Sequence, residues 1–157
     1  LPPVWCRDSL QNTDEWGIAC FPLSATETAI AGKSQKEAAN ILLNFVQTAF
    51  EYMTDGEQFG FEKPNFPDET FYYPYCDCED RAMLYSTLVR DLLGLDTILL
   101  DYPNHIASAV RFTEDIPGDY VVLDDGSKYL ICDPTYIGAP IGACMDQYKQ
   151  VAPEIIR

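Results

Sequence analysis

Cys78-Glu79-Asp80-Arg81-Ala82-Met83-Leu84-Tyr85-Ser86-Thr87-Leu88-Val89-Arg90-Asp91-Leu92-Leu93-Gly94 runs directly into Leu95-Asp96-Thr97-Ile98-Leu99-Leu100-Asp101-Tyr102. The change of pattern at Gly94 decides the fold class. Before it, Ala82, Tyr85, Leu88, Val89 and Leu92 recur at helical spacing, which predicts a helix over about 78–93. Gly94 stands where a left-handed helix cap belongs. After it, the runs 95–102, 106–112, 120–123 and 128–132 read as strands. The last two are joined by the turn sequence Asp124-Asp125-Gly126-Ser127. Helices followed by consecutive strands imply an α+β fold, with helices packed on an antiparallel sheet, rather than alternating βαβ units.

Working upstream, Ser34 and Glu37 have the capping-box spacing ahead of a helix over about 35–53. Ala38, Ile41, Leu42, Phe45, Val46, Ala49 and Met53 form its apolar stripe, and Asp55-Gly56 ends it. Residues 54–75 read as a long loop rich in Pro, Phe and Tyr. A connection of that length in a compact domain is often functional, and its aromatics either line a groove or anchor the loop to the core. Residues 1–33 are turn-rich and weakly periodic, and read as an N-terminal arm ahead of a core spanning 34–157. The tail from 134 carries Pro134, Gly138, Pro140, Gly142 and Pro153 and reads mostly as loop.

The 157 residues correspond to one domain, and 47% of them are apolar, enough for a packed core. Ten basic against 25 acidic residues give a net charge of −15. That balance excludes nucleic acid, whose phosphates need clustered Lys and Arg. No run approaches the about 20 apolar residues of a membrane helix, so this segment is not expected to insert. Six cysteines stand at 6, 20, 76, 78, 132 and 144. They are more than expected in a cytosolic chain and too few for a disulfide scaffold. With Leu rather than Met at position 1, they are consistent with part of a longer exported protein, periplasmic, secreted or surface-anchored. Cys6 and Cys20 are either a disulfide pair or two buried thiols.

The chain has a single histidine, His105, after the turn Pro103-Asn104. A lone histidine is more often structural than catalytic, but two further residues draw it into a constellation. Cys78 opens the helix, where unpaired N–H groups and the positive end of the dipole favour a thiolate. Glu79 and Asp80 oppose that, so an imidazole must do most of the activation. Cys76, two residues earlier, is the weaker candidate, and either cysteine is otherwise a buried thiol or half of a disulfide. Asp133 closes the last strand before Pro134 and either orients an imidazole or caps its own turn. A convergent Cys78–His105–Asp133 set requires strand 128–132 to lie antiparallel beside strand 106–112. In a simple meander His105 and Asp133 would be about 20 Å apart, and Asp124 or Asp125 would stand nearer. A zinc site from Cys76, Cys78 and His105 is the weakest reading, for want of a second Cys-x-x-Cys pair.

Asp77-Cys78-Glu79-Asp80-Arg81-Ala82 leading into a helix that ends Leu92-Leu93-Gly94-Leu95 resembles the cysteine motif of the transglutaminase-like superfamily. Pro103-Asn104-His105-Ile106-Ala107 is similar to its histidine motif, and Asp133-Pro134-Thr135-Tyr136 to its Asp-Pro-Thr motif. The resemblance covers about residues 36–140. It implies a papain-like, transglutaminase-core fold with Cys78 as nucleophile, His105 as general base and acid, and Asp133 as orienting carboxylate. That family includes cross-linking acyltransferases, peptidases and deglycosylating amidases. The implied activity is a thiol hydrolase acting by acyl transfer on a peptide or protein substrate, with no cofactor and no metal. The backbone N–H of Cys78, with Tyr75 as a side-chain candidate, would hold the oxyanion. Cys76 stands where the family usually has a small residue, and Ile106 where some members have an aromatic. The alternative is a non-catalytic protein- or glycan-binding module that keeps the fold.

Overall fold

A computed structural model describes residues 17–157, with side chains from Ser24 onward. Helices α1 (Gly17–Ile30) and α2 (Gln35–Ala49) come first. A two-residue strand β1 (Glu51–Tyr52) follows, then the short helices α3 (Asp55–Gln58) and α4 (Pro67–Tyr72) and strand β2 (Tyr75–Cys76). Helix α5 (Cys78–Leu88) passes into a π-type turn, Val89–Leu93, and stops at Gly94 with φ 67°. Four strands follow: β3 (Asp96–Tyr102), β4 (His105–Arg111), β5 (Tyr120–Val122) and β6 (Lys128–Cys132). A 3₁₀ turn, Asp146–Tyr148, and strand β7 (Glu154–Ile156) complete the chain. The architecture is α+β. Five antiparallel strands lie in the order β5-β6-β4-β3-β7.

The sheet is the middle layer. On one face, Val110, Leu130 and Cys132 pack with Leu42, Leu43 and Val46 of α2 and with Leu84, Tyr85 and Leu88 of α5. On the other, Ile98, Leu100, Tyr102, Ala107, Ala109 and Ile131, with Ile155 of β7 beside them, pack with Cys144, Tyr148 and Val151 of the C-terminal segment. Both faces of β4 are therefore buried, and its small residues Ala107-Ser108-Ala109 let the layers approach. Ser108 fixes α5 on the strand. Its hydroxyl donates to the Ala82 carbonyl (2.9 Å) and accepts from Ser86 (3.1 Å). Across the C-terminal cover, Gly118 and Gly142 meet backbone to backbone. A Cβ on Gly118 would lie 2.6 Å from the Gly142 Cα.

Several expectations change. The helix predicted over 35–53 stops at Ala49, because Phe50 turns extended and buries its ring against Phe45 and Phe71 while Arg81 Nη2 donates to its carbonyl (2.8 Å). Met53 is therefore off the helix, and the buried face centres on Ala39, Leu42, Leu43 and Val46. The Ser34–Glu37 capping box is present. The expected loop over 54–75 holds two short helices, one starting at Asp55 and one with Pro67 in its first turn, where a missing N–H is harmless. The turn-rich reading of 1–33 does not hold over 17–30, which is helical. Pro22 and Gly17 weighed as breakers, yet α1 lies against α2 and Ile30 packs on the core. The tail is not all loop, since β7 pairs with β3 through Leu100↔Ile155. Residues 1–16 and the Cys6–Cys20 question lie outside the described residues and side chains.

Candidate active site

Strand order decides whether the three predicted residues can meet. β6 lies antiparallel beside β4, with Ser108 opposite Cys132 and Val110 opposite Leu130, while β5 is displaced to the outer edge. The meander that would have brought Asp124 or Asp125 to the histidine is not formed. One step beyond the ladder, Asp133 falls opposite Ala107, on the same face as His105, so the two side chains are diagonal neighbours within reach. Tyr102 pairs with His105 across the hairpin turn, where Asn104 has φ 60° after Pro103, a pattern that suits a type II turn.

His105 Nε2 lies 2.7 Å from Asp133 Oδ2, and the two side chains are only 7% and 3% exposed. The other carboxylate oxygen, Oδ1, accepts from the N–H groups of Thr135 (2.9 Å) and Tyr136 (3.3 Å). Asp133 thus does both jobs offered for it, capping its turn with one oxygen and holding the ring with the other. Tyr148 lies flat on the imidazole, ring centres 5.2 Å apart and planes 10° apart, and its hydroxyl donates to Pro103 O (3.3 Å). With Nε2 held by the carboxylate, Nδ1 is the ring nitrogen left for a second hydrogen bond.

Cys78 is the first residue of α5, behind an N-cap Asp77 whose carboxylate accepts from Asp80 N (3.4 Å). The first N–H groups of a helix have no partner within it. The cysteine sulfur is partly exposed and close enough to His105 to act on its titration. Burial opposes the charged ring, but the Asp133 bond and the Cys78 neighbour overcome it and raise the imidazole to about 9. The acids around the helix start are pushed the same way. Burial, with Asp77 and Asp80 nearby, lifts Glu79 to about 7. Burial, with Asp77 and Asp55 nearby, lifts Asp80 to about 6 despite its bonds from Asn65. Near neutral pH Glu79 is therefore only partly ionised.

Cys76 and Cys78 are both free thiols, and they face different surroundings. Cys76 is buried, and its sulfur accepts from Arg81 Nε (3.4 Å). It does not join Cys78 and His105 in a ligand set. Among the described residues the side chains close enough to share an ion are instead Asp55, Glu62, Asp77 and Glu79, with oxygens within 4.8 Å of one another. Tyr75 belongs to β2; Tyr52, paired with Cys76 across β1 and β2, lies under the Arg81 guanidinium at 5.5 Å, and burial together with the Cys78 neighbour pushes its hydroxyl pKa up.

Three contributors were not singled out from sequence. Gln47 lies away from the apolar stripe read from sequence, on the flank of the face that α2 buries in the fold, and so gave no signal. Tyr148 and Tyr52 carried no local signal, since their positions depend on how the tail and β1 fold back. No helix among the described residues is long and apolar enough to cross a membrane. Comparison with known proteins finds no matching family model and no matching curated relative.

Proposed function

We propose that this protein is a thiol hydrolase of papain-like, transglutaminase-core type, acting on amide bonds of peptides or proteins through Cys78, His105 and Asp133. The observation that carries the reading is the setting of the chain's one imidazole, bonded to a buried carboxylate at 2.7 Å and adjacent to a thiol at a helix N-terminus. In the proposed reaction His105 takes the thiol proton and the Cys78 sulfur attacks the substrate carbonyl carbon. The resulting oxyanion is met by the Cys78 N–H at the helix start. The C–N bond then breaks, the amine leaves with the proton from His105, and a thioester remains on Cys78. Water, deprotonated by His105, cleaves the thioester and restores the thiol. The acids flanking Cys78 favour a neutral or cationic substrate over an acidic one.

Iodoacetamide labelling at neutral pH, mapped by mass spectrometry, tests the nucleophile. Cys78 should be alkylated well before Cys76, Cys132 and Cys144, and p-nitrophenyl acetate should acylate it with release of nitrophenolate. Slow, uniform labelling without acylation would overturn the reading. A second reading, a protein- or glycan-binding module, is favoured by one surface. Phe61, Phe59, Tyr73 and Tyr72 form a chain of ring contacts spaced 5.2–6.2 Å, and Tyr72 is 82% exposed. Cys78 separates the two, since a non-catalytic module leaves p-nitrophenyl acetate uncleaved, while its binding is lost when Tyr72 and Phe61 are replaced by Ser.

A further inference from the structure

Gln47 sits on the buried face of α2 at 3% exposure, among Leu43, Val46 and the sheet. A polar side chain buried there must satisfy its amide, and Gln47 does so entirely on one segment. Its Nε2 donates to the carbonyls of Asp133 (3.1 Å), Tyr136 (2.9 Å) and Ala139 (3.0 Å), and its Oε1 accepts from Gly138 N (3.3 Å). Two N–H bonds are shared among three carbonyls, so the contact is dense and fixed in direction. One of those carbonyls belongs to Asp133 itself, and another to Tyr136, whose N–H holds Asp133 Oδ1.

We propose that Gln47 is a positioning residue that sets the orientation and proton affinity of His105 through Asp133. Clamping both ends of the 133–136 turn fixes the carboxylate so that Oδ1 stays on the backbone donors and Oδ2 stays on the imidazole. Without the clamp the carboxylate is free to rotate, and its hydrogen bond to the ring loosens. The titratable groups around the ring are Asp133 from the end of β6, Cys78 from the start of α5, Tyr102 from β3, and Tyr148 stacked on it. Of these, Asp133 is the one that Gln47 touches. The same helix supplies a control. Asn40, two turns earlier, accepts from Ile141 N (3.0 Å) and so holds the same segment further along without touching Asp133. The consequence for catalysis rests on the thiol-hydrolase reading, whereas the consequence for the imidazole does not.

Because the chain has one histidine, its imidazole gives a single NMR titration without assignment. The comparison uses the native protein, Gln47→Ala, Asn40→Ala, Asp133→Asn and the Gln47→Ala/Asp133→Asn double variant. Gln47→Ala should lower the His105 midpoint by about one pH unit, a tenfold loss of proton affinity, and Asn40→Ala should leave it in place. In the Asp133→Asn background Gln47→Ala should move it no further. The pH profile of Cys78 alkylation by iodoacetamide should shift with it. Folded Gln47→Ala protein with an unmoved midpoint overturns the proposal, and so does a shift that persists without the Asp133 carboxylate. If Gln47→Ala does not fold, Gln47→Met, of similar length but unable to bond the carbonyls, takes its place with the same two outcomes. Failure of Cys78 to label selectively in the native protein would sink the hydrolase reading and leave this titration as it stands.

Discussion

Asp133 divides its carboxylate between two duties, with Oδ2 on His105 Nε2 at 2.7 Å and Oδ1 on the N–H groups of Thr135 and Tyr136. The residue that ends β6 and turns the chain is therefore the residue that fixes the imidazole. An amide cannot do both. Asparagine at 133 keeps one acceptor for the turn and presents an N–H to the ring, reversing the tautomer.

Asp133→Asn should lower the His105 midpoint from about 9 toward the ordinary histidine value and slow alkylation of Cys78 at neutral pH. NMR titration and iodoacetamide kinetics measure the two effects. Stability follows the same group. Its pKa is higher in the folded than in the unfolded chain, so the pairing stabilises fully below the unfolded value near 6.5 and is lost as pH rises through about 9. Thermal melts of the native protein and Asp133→Asn should diverge at pH 6 and converge above pH 9.

The acids at the start of α5 give the same direction of change in a lower pH window. Glu79 is raised from 4.5 to about 7, first by burial and then by the charges of Asp77 and Asp80. A raised carboxyl destabilises the fold once it ionises, so stability is lost as pH climbs from about 4.5 through about 7. Glu79→Gln should raise the melting temperature at pH 8 and leave it little changed at pH 4.5. Equal shifts at both values would show that packing, not ionisation, is at stake.

The two neighbouring cysteines should separate cleanly. Cys78→Ala should abolish acylation by p-nitrophenyl acetate and leave the fold intact, since the position is partly exposed. Cys76→Ser should retain acylation while losing stability, because it alters a buried contact with Arg81. Denaturant melts and nitrophenolate release distinguish them. Acylation surviving in Cys78→Ala would reassign the nucleophile.

Gly118→Ala should destabilise by about 1–3 kcal/mol, typical of overpacking a closed contact. The added Cβ would meet the Gly142 backbone at 2.6 Å, and backbone cannot swing aside as a side chain can. A urea midpoint unchanged from the native protein would show that the two segments can part.

The helix-to-strand switch at Gly94 and the strand ends around His105 and Asp133 were legible because each rests on local chemistry: a left-handed cap, a Pro-Asn turn, a strand stopped by proline. The end of α2 was not, because it depends on Phe50 meeting Phe71 and on Arg81 reaching back to its carbonyl, contacts made only after folding. The short helices within 54–75 were hidden by prolines that mark helix starts as readily as loops. Strand order, on which the site turns, is a long-range pairing that local pattern cannot supply. Sequence could state only the condition, β6 beside β4, under which Asp133 reaches His105, and the sheet meets it.

The β5–β6 hairpin has a practical consequence. β6 runs from Lys128 to Cys132 toward the imidazole, so the exposed tip Asp124-Asp125-Gly126 points the other way, about 17 Å back along the strand. A fluorophore or affinity tether grafted into that tip would report on the protein or immobilise it without approaching the sulfur.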